Sequence, residues 1–149
     1  ERRKTLLPRT YVRRSRQWAT VTPVVFGHFL RKLDDARSRR IIAECCESIG
    51  LPPPVHVQVS PVSCLPGVPI SSTFPSLSAT GKPVWTKFHR GRHQIPRKLS
   101  DGTPVRMRYH VAVEFDVPVQ GPVILGAGRY FGMGLCRPCN WIEEGDTLS

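Results

Sequence analysis

Residues 17–26 (QWATVTPVVF) interleave apolar and polar positions and end on β-branched residues, which predicts a strand. Pro23 lacks an N–H for a ladder and implies an edge or a bulge there. A helix is expected next. Ile41, Ile42, Cys45, Cys46 and Ile49 recur at helical spacing, and Asp34 and Asp35 put negative charge where a helix N-terminus favours it. Gly50 supplies the C-cap, and Pro52, Pro53 and Pro54 forbid continuation. Residues 55–59 (VHVQV) alternate cleanly, with His56 and Gln58 on the polar face. Residues 107–115 repeat the pattern at greater length: Tyr109, Val111, Val113 and Phe115 share one face, and Arg108, His110, Ala112 and Glu114 the other. Beyond a break at Val117-Pro118, residues 121–130 read as a short apolar helix opened by Pro122, and 133–136 as a brief closing strand.

Strand, helix, strand, strand, helix, strand is the order of a split βαβ unit. The expected fold class is therefore α+β, ferredoxin-like (RRM-like) βαββαβ, an antiparallel sheet with two helices on one face. A long insertion, residues 60–106, separates the second and third strands. It is rich in Pro, Ser and Gly, then basic, with one possible hairpin at 82–88. Insertions of that length with little structure are usually functional or mobile. The expected organisation is a basic arm or linker over 1–16, a domain over 17–138 and an acidic tail over 139–149.

Charge sharpens this picture. The 149 residues carry 22 Lys and Arg against 11 Asp and Glu, a formal net charge of +11. Twelve of the basic residues fall in 1–40 and eight in 81–108, whereas 41–80 contain none. Two separated basic blocks meet only if the fold brings them together. Arg outnumbers Lys in the first, and a guanidinium fork matches phosphate geometry better than an ammonium does. A polyanion is the expected partner, with an anionic membrane surface second and plain solubility the bland alternative. No apolar run approaches the ~20 residues of a membrane helix.

The five cysteines form a vicinal pair, Cys45-Cys46, a lone Cys64 and a C-x-x-C at Cys136 and Cys139. That is a poor disulfide framework and favours a reducing cytoplasm. Two ligands are too few for tetrahedral zinc, so no metal is expected. The chain opens at Glu1 in a basic stretch without a secretory h-region, which suggests part of something longer.

The densest chemical signal is residues 121–135 (GPVILGAGRYFGMGL). Gly126, Gly128, Gly132 and Gly134 allow backbone N–H groups to approach a phosphate closely, while Arg129, Tyr130 and Phe131 offer charge and stacking surfaces of the kind that hold single-stranded RNA. Neither a dinucleotide fingerprint nor a Walker loop fits the spacing. Helix packing and tight turns are the plain alternative.

Residues 122–135 resemble the C-terminal glycine-rich motif of the CRISPR repeat-associated (RAMP) superfamily. Residues 18–25 (WATVTPVV) and the strand 109–115 running into Val119-Gln120-Gly121-Pro122 look like the processing-nuclease half of the type I-G/I-U subunit, in which the fifth and sixth Cas families are fused. The resemblance spans roughly residues 17–137 and is weak across the insertion.

It implies a metal-independent endoribonuclease, without cofactor, that cleaves CRISPR repeat RNA into mature crRNA and stays in the type I effector complex. The implied partners are the repeat hairpin, other effector subunits and the Cas-five-like half of the same polypeptide, with no membrane involved. Attack by a 2′-OH leaves a cyclic phosphate and needs a base, an acid and a cation for the phosphorane. The motif fixes no position for the family's base. From the residues themselves, His28 beside Arg31 and Lys32 is a candidate base or acid. His89 and His93, flanking Arg90 and Arg92, could supply the acid or grip the backbone, with Arg97 and Lys98 adding charge. His110 is more readily a satisfied sheet residue, and His56 is structural. The alternative to a nuclease is a non-catalytic RNA-binding subunit that caps the guide RNA. A C-x-x-C thiol protein is a third, weaker reading.

Overall fold

One long strand organises the molecule. In the computed structural model, which describes residues 11–26 and 35–139, strand β8 (Arg108–Gln120) pairs antiparallel with three others. The remaining elements, in chain order, are β1 (Arg14–Thr20), β2 (Val24–Val25), α1 (Asp35–Ser48), β3 (His56–Ser60), β4 (Ser76–Leu77), β5 (Pro83–Val84), β6 (Lys87–His89), β7 (Arg92–Gln94) and β9 (Cys136–Pro138). Short 3-10 turns lie at Ser71–Thr73 and Arg129–Phe131.

β3 lies along one side of β8, with Val57 opposite Val113 and Ser60 opposite His110. On the other side β1 places Trp18 opposite Val113, and β2 continues with Val24 opposite Tyr109. β9 pairs antiparallel with β1, Ala19 facing Arg137. The four principal strands thus lie in the spatial order β3, β8, β1, β9, all antiparallel. The chain is α+β.

The expected strand over 17–26 is two strands, because Val21–Pro23 leave the ladder; the proline marks the break. The strand expected to stop at 115 runs on to Gln120. Its register against β1 slips between Ser15 and Gln17, so the extra residues of β8, which include Pro118, bulge out of the ladder.

α1 ends as its sequence directs. Leu51 N–H donates to the Cys46 carbonyl at 2.9 Å and Gly50 N–H to Glu47 at 3.0 Å, with Gly50 at φ +83°. That is a Schellman stop, which needs the left-handed conformation glycine adopts freely. The helix buries Ile41, Ile42 and Cys46 against one face of the sheet, where Trp18, Val59, Val111, Val113 and Phe115 form the main core. The opposite face carries a smaller cluster, in which Leu65 and partly buried Cys64 and Val68 cover Ala19 and Ala112.

Two expectations are corrected. No α-helix forms over 121–130. Val123 and Leu125 are fully buried while Ile124 is half-buried, a period of two rather than 3.6, and Ile124 bridges to Leu135. Only the 3-10 turn at Arg129–Phe131 is helical. The hairpin expected at 82–88 is replaced by two smaller ones, β4 with β5 and β6 with β7.

Candidate nucleic-acid interface

The glycine-rich segment folds out and back over β2. Leu125 N–H donates to Gly134 O at 3.0 Å, Cys136 N–H to Val123 O at 3.0 Å, and Ala127 N–H to Val25 O at 2.9 Å. Gly134 N–H reaches Pro23 O at 2.8 Å. Thr22 Oγ1 donates to Gly132 O and accepts from Leu135 N–H, which fills the gap where β1 leaves the sheet. At Gly126, φ is +90° and an added Cβ would fall 2.6 Å from Val24 Cγ1. These glycines let the loop lie directly on β2. The N–H groups of Leu125, Ala127, Phe131, Met133, Gly134 and Leu135 are all used inside the protein. Arg129 and Tyr130 add a charge and an exposed ring face to what the loop presents to solvent.

Those groups sit on the 3-10 turn. The Tyr130 ring is 90% exposed, and the Arg129 guanidinium lies 5.0 Å from its centroid. Phe131 turns inward toward Val25, Leu77 and Met133 and meets Trp85 edge-on at 5.8 Å. Trp85 belongs to the insertion and is 65% exposed. The second basic block and the glycine-rich loop are therefore joined by an aromatic contact. Nothing in the pattern of the insertion singled Trp85 out beyond its being a large aromatic among cations.

Beyond Trp85, β6 and β7 form a tight hairpin. Arg90 (φ +52°) and Gly91 (φ +76°) make its two-residue turn, the left-handed pair of a type I′ turn. Phe88 and His93 face each other across the strands with ring centroids 5.1 Å apart, and both are exposed. His89 pairs with Arg92 at the tip. Arg97 and Lys98 are exposed where the chain returns; Val105 N–H donates to Arg97 O, and Lys98 bridges to Pro104.

The first basic block contributes at the far end of β8. Arg14 is exposed and lies directly opposite Gln120, and Gly121 N–H donates to Arg13 O at 3.2 Å. Arg37, Arg39 and Arg40 are exposed on the first half of α1. His28, Arg31 and Lys32 lie outside the described residues.

The remaining histidines have defined partners. His110 is buried, with Thr20 Oγ1 2.9 Å from Nδ1 and the Pro69 carbonyl 2.9 Å from Nε2. A carbonyl only accepts, so Nε2 carries the proton and Nδ1 accepts from the threonine hydroxyl. Burial lowers its pKa, opposed by hydrogen bonding to the backbone at Pro69 and Thr20. It is the satisfied sheet histidine. His56 is exposed on β3, 3.9 Å from Glu114, whose other oxygen accepts from Gln17 Nε2 at 2.9 Å.

The thiols do not form a site. Cys136 and Cys139 are three residues apart on an extended backbone, which sends their side chains to opposite faces; one joins the main core and the other the smaller cluster. Burial pushes the Cys46 thiol up to about 12 and raises Cys136 as well. Cys45 is raised by burial, against the opposing pull of the Gly126 N–H. Among the described residues no group of three or more His, Cys, Asp or Glu side chains converges.

A family model described as CRISPR-associated protein, GSU0054 family, matches residues 4–138, nearly the whole chain. The chain belongs to this CRISPR-associated family. The match runs through both basic blocks, the insertion and the glycine-rich loop of this GSU0054-family chain. Comparisons with curated proteins and with solved structures gave no match. Family membership carries a role in CRISPR systems, in association with other CRISPR components. No helix among the described residues is long and apolar enough to cross a membrane.

Proposed function

We propose that this chain binds CRISPR repeat RNA and cleaves it without a metal, as the processing-nuclease half of a type I effector subunit. The observation that carries the reading is the convergence of Arg129, Tyr130, Phe131 and Trp85, which joins the glycine-rich loop to the basic insertion. Cations and stacking faces side by side are what single-stranded RNA requires. The fold supports it too. Counting only the principal strands, the spatial order is second, third, first, fourth, the order of a ferredoxin-like domain. In this reading the loop with the 3-10 turn at Arg129–Phe131 stands in the place of the second helix.

In this reading a 2′-OH attacks the adjacent phosphorus as its proton passes to a base. The 5′-oxygen leaves with a proton from an acid, giving a 2′,3′-cyclic phosphate. His28 is the proposed base, and His89 or His93 on the exposed hairpin the proposed acid. Arg90 and Arg92 steady the phosphorane. A second reading, a subunit that caps the guide RNA without cutting it, is favoured by His110, both of whose ring nitrogens are engaged within the sheet.

Incubation with a hairpin repeat RNA in EDTA separates them. The nuclease reading expects a cyclic-phosphate product that disappears in His28→Ala or in the His89/His93 double alanine variant. Tight, salt-sensitive binding without product supports the capping subunit. Binding indifferent to salt removes both.

A further inference from the structure

We propose that the groove between the C-terminal end of α1 and the loop after β8 is a slot for one unpaired ribonucleotide. The groove is open and about 420 Å³, within the range of about 300–1,000 Å³ of small-molecule clefts. Its walls are apolar, from Ile49 and Leu51 just beyond the helix and from Pro122 and Ile124 in the loop. Three groups with other chemistry complete it: the Tyr130 ring, the Arg129 guanidinium and the Gln120 amide.

Each suits one part of a nucleotide. A base is a flat ring that gains by stacking on an aromatic face while its rim needs hydrogen bonds. Tyr130 gives the face. Its ring is already steadied by the guanidinium 5.0 Å from its centroid, so less freedom is lost when a base arrives. Gln120 can donate and accept at the base edge. Arg129 stands where the phosphate would pass, and Arg14 lies across the ladder from Gln120.

Charge decides what kind of occupant fits. Among the described residues no carboxylate lines this groove or the adjoining one of about 300 Å³, which shares Ile49, Arg129 and Tyr130 and is completed by Cys45, Ser48, Gly126 and Ala127. An apolar peptide would leave the Arg129 charge facing it unpaired, whereas a nucleotide brings the base for the walls and the anion for the guanidinium. Neither Phe131 nor Trp85 lines the slot, so its occupant is a base splayed from the strand rather than one stacked on that aromatic pair. The inference rests on the RNA-binding reading and names the subsite.

The test uses the full 149-residue chain and amide chemical shifts. The four nucleoside 5′-monophosphates and inorganic phosphate are titrated separately. The expected result is saturable shifts at residues 49–51, 120–124 and 126–130 with at least one mononucleotide, and much smaller ones with phosphate alone. Tyr130→Ala should weaken that binding by roughly five- to a hundred-fold, and Tyr130→Phe should keep it. Gln120→Ala should flatten the ranking among the four bases. Because Tyr130 is 90% exposed, the alanine variant should fold normally, as its unperturbed core resonances would report. Equal shifts with phosphate alone, or affinity unchanged in Tyr130→Ala, would overturn the slot. If a repeat RNA binds tightly while no mononucleotide enters the groove, the slot fails and the RNA-binding reading stands. If neither binds, both fail.

Discussion

Gly134 and Gly132 both sit in the left-handed region, at φ +79° and +82°, two residues apart in one loop. Only their surroundings differ. An added Cβ at Gly132 meets nothing within 4 Å, so Gly132→Ala carries the left-handed conformation alone, about 1 kcal/mol. At Gly134 the same carbon would lie 2.9 Å from the Leu125 carbonyl carbon and closer to its oxygen. A backbone carbonyl cannot swing aside as a flexible side chain can. Leu125 must shift, which endangers the Leu125 N–H to Gly134 O bond and the neighbouring Cys136 N–H to Val123 O bond. At about 1 kcal/mol for each bond and for the conformation, Gly134→Ala should destabilise by about 3 kcal/mol. For a chain of this size that is a fall in Tm of about 6–12 °C, against about 2–4 °C for Gly132→Ala. Urea melts of the two variants, read by circular dichroism, measure the difference directly. Equal losses would refute the packing argument. So would a stable Gly134→Ala that had lost RNA affinity, because that glycine would then serve the ligand and not the fold.

Three further expectations follow from the same geometry. His110 has a lowered pKa, so the unfolded chain binds a proton that the folded chain refuses; its stability contribution is full above about pH 6.5 and falls as pH drops through that value. Denaturation midpoints from pH 8 to 5 should show this slope in the native chain and a shallower one in His110→Gln. Arg108 donates from Nε to Phe74 O at 2.6 Å and from Nη2 to Ser72 O at 2.9 Å, pinning the start of the insertion to β8. Arg108→Leu should cost about 2–3 kcal/mol and speed hydrogen exchange at 71–74, with exchange unchanged there counting against the strut. Trp85→Ala should leave the melting midpoint within about 1 kcal/mol of the native chain, given its exposure, yet weaken single-stranded RNA binding about five-fold or more in a fluorescence titration. Unaltered affinity would remove Trp85 from the interface.

The sheet was legible wherever one face is buried. The alternation over 107–115 reads through to Val111, Val113 and Phe115 in the main core, and that over 55–59 to Val57 and Val59, while Val55 falls outside β3 and is exposed. α1 was legible for the same reason, down to its glycine stop. The loop at 121–130 was not. Val123-Ile124-Leu125 is too short a run to separate a helix from a strand, and what decides it is contact with β2, nearly a hundred residues away. The insertion hid its order similarly: β4 and β5 are two residues each, and they hold because Arg108, Val25 and Met133 pack or bond to what lies around them. The candidate site was half visible. Arg129 and Tyr130 announced themselves, whereas Gln120 and Trp85 matter only through neighbours that sequence spacing does not place.

Ser60 and His110 are paired partners on adjacent strands, so the insertion leaves and re-enters the sheet at a single rung. Geometrically the ~50 residues between them are an enlarged hairpin loop. Closing a loop of that length rather than one of about five residues costs only about 2 kcal/mol, because the entropy grows with the logarithm of length. The outer part of the insertion, the Trp85 ring and the basic hairpin included, can therefore lengthen, shorten or be exchanged while the register of β3 against β8 stays put, whereas Leu65, Val68 and Leu77, which pack on the sheet and β2, belong to the frame. The frame that holds the glycine-rich loop and the part free to vary are separable by construction.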